Sequence, residues 1–218
     1  NFLGPNRVEI KARRGNKFIG STNRKNYLFI AVDVTLDADT AHPRLQVSED
    51  GKSVTDTGVI RKVPNKDERF DSHTFLLAKE GYRSGRLYWE VDVGKKQNWN
   101  LGVAQETVRR KETVALSPKN GFWVIGLYSQ GKYILTGRED VSDCKQCSVV
   151  GVLLDVESSE LSFYNVEEMS PLGSVVLEFT GKLYPFFSPD SSGKWLGVRP
   201  VKPQTYDPLP QGEKEINE

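Results

Sequence analysis

The sequence predicts an all-β domain built as a twisted two-sheet antiparallel β-sandwich. Many short segments alternate apolar and polar residues with a period of two, which places one face of each segment in a core. Turn-forming residues separate nearly all of these segments, and no stretch shows a convincing 3.6-residue periodicity of an amphipathic helix. Short strands at close spacing without long helices are typical of sandwiches and barrels.

The clearest alternation lies in Arg86 to Val93, and a shorter repeat of it follows in Trp99 to Val103. Trp89 and Trp99 fall on the apolar faces of these segments, so we interpret both as core anchors rather than as binding aromatics. The residues between the two segments are polar, which predicts a hairpin with the two strands side by side.

Further segments show the composition of strands and are bounded by turn residues. Val149 to Leu154 is apolar on both faces, which predicts a central strand that is covered on each side. The complete set of these further strand predictions is Asp33 to Leu36, Leu45 to Ser48, Thr74 to Ala78, Phe122 to Tyr128, Lys132 to Leu135, Val149 to Asp155, Glu160 to Asn165, Val175 to Phe179, Tyr184 to Ser188 and Leu196 to Val198.

The length and composition favour one globular domain with two polar ends. The chain has 218 residues, of which 37% are hydrophobic and 27% are charged. Since β-sandwiches of roughly 200 residues commonly form one domain, we expect a single core within residues 31–200. The composition of residues 1–30 predicts a basic linker or loosely docked arm, and that of residues 201–218 predicts a disordered tail. Without an initiator Met or a signal-peptide pattern, the sequence is expected to be a fragment of a longer protein.

Several function classes are disfavoured by the sequence. The formal net charge is +1, which gives nucleic acid little overall attraction, and no apolar run approaches the roughly 18 residues of a membrane span. Cys144 and Cys147 form one C-x-x-C pair, but His42 and His73 do not have metal-ligand spacing, so we expect no metal and no cofactor. No G-x-S-x-G or H-E-x-x-H pattern exists, and we expect no catalytic residue.

Several motifs in a fixed order resemble the PRY-SPRY family of tripartite-motif ubiquitin ligases and butyrophilins. The resemblance implies a PRY segment over about residues 31–80 and a SPRY segment over about residues 81–200. Two positions depart from the family pattern, since Ala38 replaces a usual Pro and Val156 replaces a usual Tyr. The motifs are Val34 to Pro43 with Leu45 to Ser53, Ser84 to Val93, Asn120 to Trp123, Leu154 to Glu157 with Leu161 to Asn165, and Tyr184 to Phe187.

The resemblance implies a SPRY-type sandwich that binds another protein through variable loops and has no catalytic residues. It leads us to expect a non-enzymatic recognition module that selects a partner for an attached effector, in immune regulation and on the cytoplasmic side. Two parents stay open: a tripartite-motif ligase, or a butyrophilin-like receptor whose intracellular domain senses a small phosphorylated ligand. The partner itself and the oligomeric state do not follow from the sequence.

Asn100 is the first candidate contact for a partner, because it points away from the face of Trp99 and because relatives carry a ligand-facing residue at this position. Tyr128 is the second candidate, since it ends a strand at a polar turn. In the antibody-binding member of the family, two tryptophans occupy the positions of Gly126 and Tyr128, so antibody Fc is not expected here. The other candidates for partner contacts are Asp190, Ser191, Arg109 and Arg110.

His73 is the candidate residue for the phosphorylated ligand. In butyrophilins that sense phosphorylated metabolites, a basic pocket holds a diphosphate, and His73 is the member of that pocket that the resemblance retains. The resemblance places residues without positive charge at the other positions of the pocket, namely Asn100, Ala115, Ile134, Asp140 and Ser188. We therefore expect a protein ligand rather than a diphosphate. The Arg109 to Lys111 cluster lacks the interleaved aromatics of a nucleic-acid site.

Overall fold

A computed structural model describes residues 9–14, 17–22, 25–128, 131–137, 141–142, 146–168 and 170–200, and for residues 9–28 and 141–142 only the backbone. This part of the chain is almost entirely β, with a single turn of 3-10 helix at Pro118–Asn120. The strands are β1 (Glu9–Arg14), β2 (Lys17–Thr22), β3 (Lys25–Ala31), β4 (Leu45–Val47), β5 (Ser53–Asp56), β6 (Leu76–Leu77), β7 (Arg86–Asp92), β8 (Trp99–Gln105), β9 (Phe122–Tyr128), β10 (Lys132–Leu135), β11 (Val141–Ser142), β12 (Val149–Asp155), β13 (Glu160–Asn165), β14 (Ser170–Val176), β15 (Leu183–Ser188) and β16 (Leu196–Val198).

The strands form two sheets. The ten-stranded sheet has the order β1-β2-β3-β7-β12-β13-β14, and it is extended by β16, which pairs with both β5 and β7, and by β4, which pairs with β5. The six-stranded sheet has the order β11-β10-β9-β8-β15-β6. All pairs are antiparallel except β3 with β7, which is parallel. The predicted two-sheet antiparallel sandwich is confirmed.

The main core lies between the sheets and follows the predicted alternation. Trp89 is 3% exposed and Trp99 is fully buried, which confirms both as core anchors. Residues 149–154 are all buried in β12, between β7 and β13, as predicted for a central strand. The indole of Trp99 also donates a hydrogen bond to the carbonyl of Lys96 at 3.1 Å, so this buried polar group is satisfied.

The predicted hairpin between β7 and β8 is wrong, because the two strands belong to different sheets. The connection after Val93 crosses from one sheet to the other, with Gly94 and Asn98 both at positive φ. Lys96 belongs to this connection and is buried. An alternating pattern identifies the face that a strand buries, but two strands on opposite sides of one core show the same pattern as two neighbours.

The described residues before Val32 form three strands that the alternation of the sequence did not indicate. The backbone of β1, β2 and β3 forms an antiparallel ribbon, and β3 joins the main sheet beside β7. Phe29 is 2% exposed and packs with Tyr88, Leu153 and Tyr164 on the outer side of the ten-stranded sheet. Strand β5 was also missed, whereas Asp33 to Leu36 is not a strand and contributes only a bridge from Leu36 to Ala78.

Candidate functional site

The six-stranded sheet has an outer face that is turned away from the main core. Along β8, Trp99, Leu101 and Val103 enter the core, so the intervening side chains belong to this outer face. Half of the face is covered by loops that bring Phe70 and Val108 over it. The residues of this second apolar cluster are Phe70, Phe75, Leu77, Ala104, Val108, Phe122, Val124 and Phe186.

The other half of the outer face carries a row of residues that crosses four strands. Asn100 lies opposite Ser188 on one side and opposite Gly126 on the other, and Gly126 lies opposite Ile134. Ile134 is 39% exposed, whereas Ser188 is buried. Among the residues that the structure describes, the second apolar cluster does not extend over this row. The row is therefore a shallow surface with an apolar end at Ile134 and a polar centre.

The structure brings the first two candidate residues together. Tyr128 donates a hydrogen bond from its hydroxyl to Asn100 Oδ1 at 3.2 Å, and its ring is 39% exposed. Gly126 makes this contact possible, because a Cβ at this position would lie 2.4 Å from Asn100 Oδ1 and 2.8 Å from the Tyr128 ring. Asn100, Gly126 and Tyr128 thus form one packed unit in which an aromatic ring lies over a glycine.

The loop after β15 forms one rim of this surface, and the loop before β8 holds it in place. Lys96 belongs to the loop before β8, and its ammonium contacts the carbonyl of Trp195 in the loop after β15. Burial lowers the pKa of Lys96, and nearby Asp190 opposes that effect. Asp190 is 8% exposed and accepts hydrogen bonds from the backbone and hydroxyl of Ser192, so its carboxylate shapes the turn. Ser191 is exposed on this rim.

Arg109 and Arg110 lie in the long loop between β8 and β9 and have different environments. Arg110 donates to the carbonyls of Glu68 and Glu106 at 2.9 and 3.2 Å and lies 5.5 Å from the centre of the Phe70 ring. Arg109 keeps 65% of its side chain exposed and lies 3.9 Å from Glu112. Both residues lie at the far end of β8 from Asn100, so the structure does not bring them into the row.

His73 lies beside the second apolar cluster. Its ring stacks on Phe75 with centroids 4.7 Å apart, and Nε2 accepts a hydrogen bond from the backbone N–H of Val114 at 3.0 Å. One ring nitrogen is therefore used by the protein itself. Ala115 and Ile134 supply no charge, and Asp140 lies outside the described residues. A small phosphorylated ligand held by His73 stays an alternative, and the described contacts of the His73 ring do not support it.

Some exposed apolar residues were missed by the sequence analysis. Val59 and Ile60 are 62% and 69% exposed in the loop after β5, and Trp195 is 46% exposed beside it. Thr55 links the two segments by donating its hydroxyl to the carbonyl of Gly193 at 2.8 Å. The sequence does show Val-Ile and Trp next to Gly and charged residues, which is a pattern of loops. An isolated apolar residue in a loop does not reveal whether it packs inward or stays exposed, so these residues could not be predicted as a surface.

The structure offers no site for a metal in the described ranges. No group of three or more His, Cys, Asp or Glu side chains converges there. Cys147 is buried, its backbone N–H donates to the Tyr133 hydroxyl at 3.1 Å, and Cys144 lies outside those ranges. No helix among these residues is long and apolar enough to cross a membrane.

Comparisons with known families agree with this architecture. The SPRY domain matches residues 86–198, and the SPRY-associated domain, PRY, matches residues 34–82. Human butyrophilin subfamily 1 member A1 is 43% identical over 188 residues, which cover 85% of this chain and 34% of that protein. The bovine E3 ubiquitin-protein ligase TRIM21 is 34% identical over 203 residues, which cover 84% of this chain and 42% of that protein.

The chain thus spans about a third of the length of the butyrophilin and less than half of TRIM21. Two solved structures share the fold. The crystal structure of the TRIM65 PSpry domain superposes with a TM-score of 0.67 at 19% identity over 78% of this chain and 90% of that one. A stonustoxin structure also gives 0.67, at 24% identity over 78% of this chain and 29% of that one. With both segments matched in order, the chain belongs to the SPRY family and carries the PRY segment ahead of the SPRY domain.

Proposed function

We propose that this chain is a non-enzymatic module that binds a partner protein through the outer face of the six-stranded sheet. The observation that carries the proposal is the packed unit of Asn100, Gly126 and Tyr128, on the half of that face that the second apolar cluster does not reach in the described part of the chain. The unit offers a half-exposed aromatic ring, an amide and the apolar side chain of Ile134 in one row. Rigid aromatic residues next to polar groups are the usual anchors of protein interfaces.

The loops around this face supply the rim. Ser191 and Trp195 follow β15, and Val59 and Ile60 reach the same end of the sandwich. The Lys96 ammonium donates to the carbonyls of Val93 and Trp195, so it fastens the segment after β15 to the connection before β8 and helps to preform this part of the rim. A preformed surface loses less conformational entropy on binding than a flexible one.

We also infer that the module serves an attached effector on the cytoplasmic side of a larger protein, with a role in immune regulation. The inference is supported by the likeness to butyrophilin subfamily 1 member A1 and to the E3 ubiquitin-protein ligase TRIM21, of which the chain spans only a part. In this arrangement the chain selects the partner and the rest of the protein acts on it. Asn100 and Tyr128 would be central contacts and Asp190 a residue that positions the rim.

Affinity capture from cell extract with three baits tests the proposed face. The baits are the wild type, the double variant Asn100→Arg/Tyr128→Ala, and the control Val176→Ala, which changes an exposed residue of β14 in the other sheet. We expect at least one protein to be captured by the wild type and the control and lost from the double variant. With that protein purified, the double variant should bind at least about tenfold more weakly, since central interface residues contribute about 2 kcal/mol or more.

The double variant must also remain folded for this test to be valid. Tyr128 is half-exposed and Asn100 does not belong to the main core, so we expect a shift of the unfolding midpoint of only a few degrees. If the wild type and the double variant capture the same proteins with the same affinity, the outer face is not the binding surface.

A further inference from the structure

A polar cleft of about 420 Å³ lies within the loop between β8 and β9, apart from the row on the outer face. It opens next to Gln105, five residues along β8 from Asn100, which corresponds to roughly 17 Å. The residues that line it are Gln105, Thr107, Val108, Arg109, Thr113, Val114, Ala115, Lys119, Asn120 and Gly121. Two of these lining residues are cationic and none is acidic, so the charged side chains of the lining would attract an anion and none of them would repel it.

The back of the loop is anchored by three consecutive residues. Arg110 donates to backbone carbonyls, the Lys111 ammonium donates to the carbonyls of Lys66 and Arg69 at 2.7 and 2.8 Å, and the backbone N–H of Glu112 donates to Asp71 at 2.9 Å. Two of the three adjacent basic side chains are therefore used to hold the loop. Arg109 is left over, and it lines the cleft with most of its side chain exposed.

The front of the loop is equally well defined. Ser117 caps the turn of 3-10 helix, and the Asn120 side chain donates to the carbonyl of Ala115 at 3.0 Å. Gly121 has a φ of 87° and approaches Val108 so closely that a Cβ would lie 2.9 Å from it. Lys119 therefore lines the cleft on a short, hydrogen-bonded segment rather than on a loose one.

The two cations are available to a ligand. Within the described residues, Arg109 has one ion pair, with Glu112 at 3.9 Å, and that carboxylate is 83% exposed, where water and salt screen the attraction. Lys119 is exposed, and the hydroxyls of Thr107 and Thr113 are exposed beside the cleft. A guanidinium, an ammonium and two hydroxyls around one opening match the three oxygens and nearly two charges of a phosphate monoester.

We propose that this cleft binds a phosphate group carried by a peptide segment of another protein. The peptide backbone would lie across the open side while the phosphate enters between Arg109 and Lys119. This site is separate from the row of Asn100 on the outer face. Its test therefore does not need the partner protein proposed for that row.

The test is a titration of the ¹⁵N-labelled protein followed by amide chemical shifts. The probe is a blocked five-residue peptide with phosphoserine between alanines, and the comparisons are the same peptide with serine and inorganic phosphate. We expect saturable shifts of the amides of Thr107, Thr113 and Gly121 with the phosphopeptide and none with the serine peptide. The phosphopeptide should bind more tightly than inorganic phosphate, and its affinity should fall as salt is added.

Two double variants with the same net charge distinguish binding in the cleft from general electrostatic attraction of the phosphopeptide to the protein. Arg109→Gln/Lys119→Gln removes both cations of the cleft, and Lys79→Gln/Lys95→Gln removes two exposed cations elsewhere. We expect the first to weaken the phosphopeptide at least about tenfold and the second less than about twofold. Equal weakening by both variants, shifts outside the cleft, or no shifts at all would overturn the site. Inorganic phosphate binding as tightly as the phosphopeptide would overturn the assignment to a peptide.

Discussion

Gly102 lies in the middle of β8, where the neighbouring strand leaves no room for a side chain. A Cβ at this position would lie 2.0 Å from the carbonyl oxygen of Trp123 and 2.7 Å from the Cα of Val124. Both atoms belong to the backbone of β9, so no rotamer change can relieve the contact. Gly126 is the matched case on the same outer face, because the atoms nearest to its Cβ would belong to the side chains of Asn100 and Tyr128 rather than to backbone.

The Gly102→Ala substitution must therefore move β8 and β9 apart by about 1 Å, since carbon and oxygen atoms in contact are normally over 3 Å apart. Overpacking in a closely packed interior costs about 1–3 kcal/mol, and a clash with backbone lies at the upper end of that range. We expect a loss of about 3 kcal/mol for Gly102→Ala. Gly126→Ala should cost less than about 1 kcal/mol, because the side chains can turn into solvent and alanine restricts the unfolded chain.

Urea unfolding of both variants at pH 7 measures the difference. For a domain with a slope of about 2–3 kcal/mol per molar urea, Gly102→Ala should lower the midpoint by about 1–1.5 M and Gly126→Ala by less than about 0.5 M. The slope itself should not change in either variant. Equal midpoints for the two variants would refute the reasoning, because the same substitution on the same face would then be insensitive to what the added methyl group meets.

The remaining predictions concern one ion pair and two ionisable groups. Arg44→Ala removes the two hydrogen bonds, at 3.1 and 2.8 Å, that hold buried Asp56, and we expect a loss of about 2 kcal/mol in urea unfolding. Lys66→Ala, which breaks an exposed pair, should cost much less. Burial lowers the pKa of His42, so the unfolded chain binds more protons below pH 6.5 and stability should fall from pH 7 to 5; the His42→Asn variant should show a smaller fall. Burial raises the pKa of Tyr82 to about 12, so stability should decline above pH 10. Because the chain has eight tyrosines, the Tyr82 phenol is followed as the difference between the ultraviolet titrations of the wild type and Tyr82→Phe, and a difference transition centred at pH 10 would contradict this.

Alternation along the sequence predicts most strands of the sandwich. The bounds of β9, β10, β12, β13 and β16 are those that the pattern indicates. Which strands pair is harder to predict, because Trp89 and Trp99 show the same inward period although their strands belong to different sheets. The partner of a strand depends on where the chain crosses the core, and the polar residues of a crossing resemble those of a hairpin turn.

Individual contacts at the candidate surface are harder still to predict. Asn100 and Tyr128 were chosen separately, and only the register of β8 with β9 brings them into contact. Arg109 and Arg110 are adjacent and chemically identical, yet Arg110 holds the loop in place while Arg109 faces the cleft. The role of a basic side chain depends on which backbone carbonyls it can reach. Those carbonyls belong to segments that are distant in sequence, such as residues 66–71, and their positions depend on tertiary packing.

Strand β16 closes the ten-stranded sheet between β5 and β7, and this has a consequence for how the chain reaches its folded state. Thr55 and Gly193, which hydrogen-bond at this closure, are 138 residues apart in sequence. Contacts of such long range raise the contact order, which slows folding. On the ribosome, β5 can pair with β4 but lacks its second partner until β16 has been made, and its free edge is open to pairing with other nascent chains meanwhile. Shortening the chain before Val198 would make that exposure permanent.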